Sequence, residues 1–159
     1  MTHSKLQEGV SLSVLFAAIL GLDQFVKHLS VVYLRPIGTY PLIPGVFQLT
    51  YRENTGVAFS LFSGRVLLLS VITLIILFIL LVFLLRGHVA HPVARCAVVF
   101  VLAGGAGNLV DRLFRGAVVD LFDFCWINFP VFNVADIFVT CGCVLFLVVF
   151  LCTKGEAIR

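Results

Sequence analysis

The sequence predicts an all-α membrane protein: four transmembrane helices, a small extracytoplasmic β-sheet and an interfacial loop between the third and fourth spans. Three observations lead there. Of the 159 residues, 61% are hydrophobic and 12% are charged, with a mean hydropathy of +1.15; a soluble domain has about 45–50% apolar and about 25% charged residues. Residues 66–85 carry no charge, and at about 1.5 Å per residue a helix of that length reaches roughly 30 Å, the depth of a bilayer's hydrocarbon core. Three shorter apolar segments each end in, or open on, a polar residue: Asp23, then Asn108 and Asp111, then Asp136.

Each element has its own warrant, and all fall in one domain, 1–159. The first span is placed at about 9–26. It resembles a cleaved signal peptide in length, yet Gly21-Leu22-Asp23-Gln24 offers no small-x-small cleavage site, so it is expected to be retained. Residues 28–65 form an external loop punctuated by Pro36, Gly38, Pro41, Pro44, Gly45, Gly56 and Gly64. Within it, residues 46–51 read as strand from their aromatic and β-branched content. The second span is 66–85 and the third about 93–110, joined by a basic turn. Residues 111–135 are as apolar as a span but interrupted by Gly116, Pro130 and acids. Their six aromatic rings suit the membrane interface, and this loop is expected to carry Asp120 and Asp123 to the site. The fourth span is about 136–152.

Four spans place both termini on one side. Basic residues divide almost evenly, but Arg86 and Arg95 crowd the tight 86–95 turn, where the positive-inside bias is read most strongly. Of the eight acids, Asp23, Glu53, Asp111, Asp120, Asp123 and Asp136 lie on the opposite face. Both termini are therefore expected in the cytoplasm. The net charge of +3 then belongs to that face, and no nucleic-acid partner is implied.

A carboxylate at membrane depth is costly and is usually functional. The polar groups expected on the extracytoplasmic face are Asp23, Asn54, Asn108, Asp111, Arg112, Asp120, Asp123, Asn133 and Asp136. No H-E-x-x-H motif is present, His3, His88 and His91 fall on the other face, and no metal site is expected. Ser60 and Ser63 lack a nucleophile-elbow frame. Cys96, Cys125, Cys141, Cys143 and Cys152 form no C-x-x-C pair and read as small apolar packing residues. That leaves carboxylates as acid and base. Two that share a site cannot both ionise cheaply, so one keeps a proton. Asp136 is the first candidate because it opens a helix, whose dipole favours an anion. Its partner is one of Asp23, Asp111, Asp120 and Asp123.

Plainer roles exist for each residue. Asp136 is also a natural N-cap, Asp111 a charge partner for adjacent Arg112, Asp23 a solvated helix end, and Asn54-Thr55-Gly56 a turn. A transporter would also hold intramembrane acids, but with internal repeats that this chain lacks. A thiol oxidoreductase would need paired external cysteines. A non-catalytic scaffold would tolerate loss of the acids. The clustering of so many polar groups on one face of a charge-poor chain favours chemistry.

Four boxes, in order, resemble the bacterial lipoprotein signal peptidases (signal peptidase II). They are Leu22-Asp23-Gln24-Phe25-Val26-Lys27; Asn54-Thr55-Gly56-Val57-Ala58-Phe59-Ser60; Gly104-Gly105-Ala106-Gly107-Asn108-Leu109-Val110-Asp111-Arg112 with Val118-Val119-Asp120; and Phe132-Asn133-Val134-Ala135-Asp136. Ala103 and Val57 depart from the family pattern at packing positions. The resemblance implies an aspartic endopeptidase with Asp120 and Asp136 as its dyad. Asn54, Gly56, Asn108, Arg112 and Asn133 would lie around substrate and dyad, with Asp23, Gly104, Asp111 and Ala135 as structural support. It further implies no cofactor, a diacylglyceryl prolipoprotein substrate, membrane lipids as partners, and a place in the bacterial cytoplasmic (inner) membrane with the site on its extracytoplasmic face.

Overall fold

The computed structural model describes residues 3–56, 62–127 and 129–158. Four of its helices are long and apolar enough to cross a membrane, and a three-stranded antiparallel sheet sits with them. The stretch Val57-Ala58-Phe59-Ser60 of the second box lies outside the described residues.

Helix α1 (His3–Leu29) does not stop near residue 26. It passes into a π-helical turn, Ser30–Leu34, so that the apolar span covers Leu6–Leu34. Asp23 and Lys27, four residues apart, form an ion pair on the buried face of the helix, and partnered charges need not mark its end. Residues 28–34 are therefore helix, and the external loop begins later than the sequence suggested.

Helix α2 (Val66–Leu85) is apolar all round, and most of its side chains, among them Leu67, Ile76 and Phe78, face outward. With no polar stripe to turn to water, such a helix belongs in lipid. Helix α3 (Pro92–Arg115) starts with proline at its first position behind a His91 cap. It continues past residue 110 to Arg115, and Gly116, at φ 74°, ends it in the left-handed conformation. Asn108, Asp111 and Arg112 are thus inside the helix, at i, i+3 and i+4 on one face, rather than beyond its end. α3 is the most buried span and packs against the other three helices. Helix α4 (Val134–Cys152) lies closest: a Cβ on Gly104 would collide with the Ala135 carbonyl. Small residues permit such close approach between helices in a membrane.

The sheet has the order β1-β2-β3. Strand β1 (Thr39–Ile43) pairs with β2 (Phe47–Asn54), which covers all but the first residue of the strand foreseen at 46–51. Strand β3 (Val118–Phe124) pairs with β2 so that Asp120 lies opposite Arg52 and Val118 opposite Asn54. The 111–135 segment is therefore not a simple interfacial loop. It is the last turn of α3, a strand, and a short return held by Leu121 N–H to Phe132 O at 3.0 Å. Aromatic rings pack under this end of the sheet, Phe47 and Phe124 with centroids 5.0 Å apart.

Both ends of the chain meet the 86–95 turn. Glu8 pairs with Arg95, and Ala90 N–H donates to Ala157 O at 2.8 Å. The sheet and the polar residues occupy the opposite end of the bundle.

Candidate active site

Two aspartates from different elements meet through one asparagine. Asn133 is the N-cap of α4, and its Oδ1 accepts from the Asp136 N–H at 3.0 Å while its own N–H donates to Asp136 Oδ2 at 3.1 Å. This reciprocal capping box satisfies two otherwise orphaned donors of the first turn. The same asparagine's Nδ2 donates to Asp120 Oδ1 at 2.7 Å and to Asn108 Oδ1 at 3.1 Å. Strand β3 supplies Asp120 and the start of α4 supplies Asp136.

The two carboxylates are held by amides. Asp120 Oδ2 accepts from Asn54 Nδ2 at 3.0 Å, and Asp136 Oδ1 accepts from Asn108 Nδ2 at 2.8 Å. Among the described residues no lysine or arginine forms an ion pair with either. Asp120 is buried and Asp136 half-buried. Burial, followed by the nearby Asp136, pushes the Asp120 pKa from 3.8 up to about 7, against the opposing pull of hydrogen bonds from Asn54 and Asn133 and the charge of Lys27. A carboxyl group with that pKa can hold or release a proton near neutrality.

Asn54 Oδ1 also accepts from Gly56 N–H at 2.9 Å, so this asparagine makes a turn and reaches the site together. The Gly56 carbonyl accepts from Arg112 Nη2 at 3.0 Å, and the buried Arg112 Nε has no partner among the described residues.

Behind the amides lies a second, fully buried charge cluster. Lys27 Nζ donates to Asp23 Oδ2 at 2.9 Å, Asp111 Oδ2 at 2.8 Å and Asn108 Oδ1 at 2.9 Å. These three bonds use every proton of the ammonium. Gln24 Nε2 adds a contact to Asp23 Oδ2 at 3.2 Å. Asp23 Oδ1 accepts from Ala135 N–H at 2.9 Å, and Asp111 Oδ2 from Val119 N–H at 3.3 Å. Gly107 makes room for this, since a Cβ there would collide with the Asp23 carboxylate.

Most of the residues singled out from sequence therefore converge, but three expectations change. Asp111 makes its ion pairs with Lys27 and, at 3.7 Å, with Arg115 rather than with Arg112. Asp23 is buried and not a solvated helix end. Asp123 leaves the site altogether: three positions beyond Asp120 on a strand, it points to the other face and accepts from Gln48 Nε2 and Thr50 Oγ1, each at 2.8 Å. Lys27 and Gln24 were not foreseen as site residues. The i,i+4 spacing of Asp23 and Lys27 and the place of Lys27 at the end of the first family box were the available signals; Gln24 lay inside that box without a signal of its own.

Four spans and a pair of amide-held carboxylates at one end of the bundle define a multi-pass membrane protein with a buried polar site. The sequence profile of the family described as Signal peptidase (SPase) II matches residues 15–152. The chain is 44% identical over 134 residues to the lipoprotein signal peptidase of Microcystis aeruginosa, covering 82% of this chain and 86% of that one. It is 43% identical over 136 residues to that of Brevibacillus brevis, covering 85% and 91%. A bacterial membrane enzyme solved by the in meso method at 2.3 Å superposes with a TM-score of 0.83 at 28% identity, covering 92% of this chain and 90% of that one. The chain belongs to the signal peptidase II family and is accordingly a membrane protease.

Proposed function

We propose that this protein is an aspartic endopeptidase that removes the signal peptide from diacylglyceryl-modified prolipoproteins, cutting just before the lipidated cysteine. The observation that carries this reading is the Asp120–Asn133–Asp136 arrangement: two carboxylates bridged by one side chain, with no ion pair to either among the described residues, one with a pKa near neutrality. The names of the relatives supply the substrate class.

Asp136, resting on N–H groups at the positive end of α4, takes a proton from water as the hydroxyl oxygen adds to the scissile carbonyl carbon. Asp120 gives its proton to the carbonyl oxygen. On collapse the C–N bond breaks, the proton on Asp136 passes to the departing amine, and Asp120 recovers a proton from the tetrahedral hydroxyl. The products are a signal-peptide carboxylate and an amino-terminal lipidated cysteine. Asn54, Asn108 and Asn133 hold the carboxylates in register, and Arg112, carried by Gly56, binds a substrate carbonyl or a lipid oxygen. Gly104 and Ala135 allow α3 and α4 to approach; Asp23 and Asp111 support the frame. The lipid tails remain in the bilayer while the scissile bond meets the dyad at its edge.

The chain acts as a single domain in the bacterial cytoplasmic (inner) membrane. The basic 86–95 turn and both termini share one end of the bundle, which supports cytoplasmic termini and an extracytoplasmic site.

A gel-shift cleavage assay on a purified diacylglyceryl prolipoprotein tests the reading. Asp120→Asn and Asp136→Asn keep size and one acceptor oxygen but cannot exchange a proton, and each is expected to lower the rate by about 10²–10⁴-fold or more. Wild-type cleavage by either variant removes that residue from the dyad; an inactive wild type removes the reading.

A further inference from the structure

The buried cluster of Lys27 does more than pair opposite charges. Its two carboxylates reach out to peptide N–H groups, and these belong to Ala135 and Val119, the residues immediately before Asp136 and Asp120. A third arm runs through Asn108. Lys27 has no acceptor, so the Asn108 atom facing it at 2.9 Å must be the carbonyl oxygen. That leaves the Asn108 NH₂ group to face Asp136 Oδ1 at 2.8 Å. One ammonium thus fixes the backbone ahead of both carboxylates and the amide orientation beside one of them.

We infer that Lys27 is the positioning residue of this site, a clamp that sets Asp120 and Asp136 relative to one another through Asp23, Asp111 and Asn108. The inference rests on the dyad reading. A buried ion cluster is in itself weak evidence for a stabilising role, because apolar residues of similar volume often do as well. What apolar packing cannot supply is a pair of fixed acceptors for two N–H groups on separate elements. Ala135 N–H is among the first-turn donors of α4 that no intrahelical acceptor satisfies, and Val119 lies on a strand whose ladder partner comes from β2. The cluster bolts those two elements to α1 and α3 at the points where the carboxylates emerge. Lys27 is fully buried and forms no bond with Asp120 or Asp136, so it positions them through its neighbours, and only its charge reaches Asp120 directly.

The test uses the full chain in lipid or detergent, the diacylglyceryl prolipoprotein, and steady-state kinetics beside thermal unfolding. Lys27→Met is expected to lower kcat by about 10²-fold, the scale of a misplaced catalytic group, with KM changed by less than about 3-fold. Unchanged kcat per folded molecule, at whatever melting temperature, overturns the clamp. Should Lys27→Met fail to insert and fold, Asp23→Asn and Asp111→Asn carry the test. Asp23→Asn leaves one acceptor oxygen where Lys27 and Ala135 N–H use separate ones, and Asp111→Asn removes the charge from the single Oδ2 that Lys27 and Val119 N–H share. Each is expected to lower kcat by roughly 10-fold; wild-type kcat in both overturns the clamp. If Lys27→Met does fold, adding Asp23→Asn to it should cost less than about 2-fold more, because the arm is already free. A full additional 10-fold loss makes the arms independent and overturns the single clamp. Wild type and Asp120→Asn run alongside: an Asp120→Asn enzyme that still cuts defeats the dyad reading itself, whereas its loss beside an unaffected Lys27→Met defeats only the clamp.

Discussion

The molecule holds two pairs of aspartates and keeps them by opposite means. Asp23 and Asp111 share a lysine, with every ammonium proton engaged. Asp120 and Asp136 share an asparagine, and amide and peptide N–H groups are their partners. A cation sits permanently between the carboxylates of one pair. The other has no ion-pair partner among the described residues, so a proton on one carboxylate relieves the repulsion of two adjacent negative charges, and a proton can be given away. On the proposed reading the same residue type serves as scaffold in one place and as the acid–base pair in the other, and the difference lies in the partner. Removing the cation from the first pair or the amide from the second are the direct ways to probe that division.

The dyad substitutions carry the largest expected effect, followed by the loss of the lysine clamp and then by Asn133→Ala. That change deletes the Nδ2 bonds to Asp120 and Asn108 and the cap on Asp136 N–H. The cleavage rate is expected to fall by roughly 10- to 10²-fold through misplacement, while the lost cap costs about 1 kcal/mol of stability. Folding and membrane insertion should survive. An unchanged rate would show that the dyad does not depend on its amide bridge.

A milder effect comes from pH alone. Burial and the neighbouring Asp136 raise the Asp120 pKa from 3.8 to about 7. As the proton donor, Asp120 is competent below that value, so kcat/KM should decline as pH rises through about 7, by up to about tenfold per unit beyond it; the pair titrates together, and the profile reports the pair. Stability follows the same proton. Between 3.8 and about 7 the folded state binds more protons than the unfolded one, so this group's contribution is complete below 3.8 and is lost as pH rises through about 7. Thermal unfolding and pH–rate profiles should share that alkaline limb. A rate independent of pH across neutrality would assign the proton elsewhere.

The four spans and one strand were legible because their signals are local: uncharged length in α2, and aromatic and β-branched content in β2. What escaped depends on distant partners. Val118–Phe124 becomes a strand only beside β2, about 70 residues earlier in the chain, and a ladder of that range leaves little local trace. Helix ends were misplaced where charges were read as stops; Asp23, Asp111 and Arg112 continue inside helices because the tertiary structure gives them partners. Lys27 was not singled out for the site, although its spacing from Asp23 fits an i,i+4 pair. At the dyad, residue chemistry narrowed the partner of Asp136 to four acids, and the family boxes singled out Asp120.

Asp123 offers the sharpest control because it differs from Asp120 by three positions on one strand. Alternation sends it to the opposite face, where Gln48 and Thr50 bind the same Oδ2 atom. Asp123→Asn can keep one acceptor there at the cost of some charge-assisted bonding, about 1 kcal/mol or less on an open sheet face. Cleavage should stay within about 2-fold of wild type, read in the same gel-shift assay as Asp120→Asn. A loss comparable with that of Asp120→Asn would mean that substrate crosses the outer face of the sheet. Near-wild-type activity would instead localise the acid chemistry to the face where Asn133 joins strand and helix, since two aspartates so close in sequence would then differ only in the partners the fold gives them.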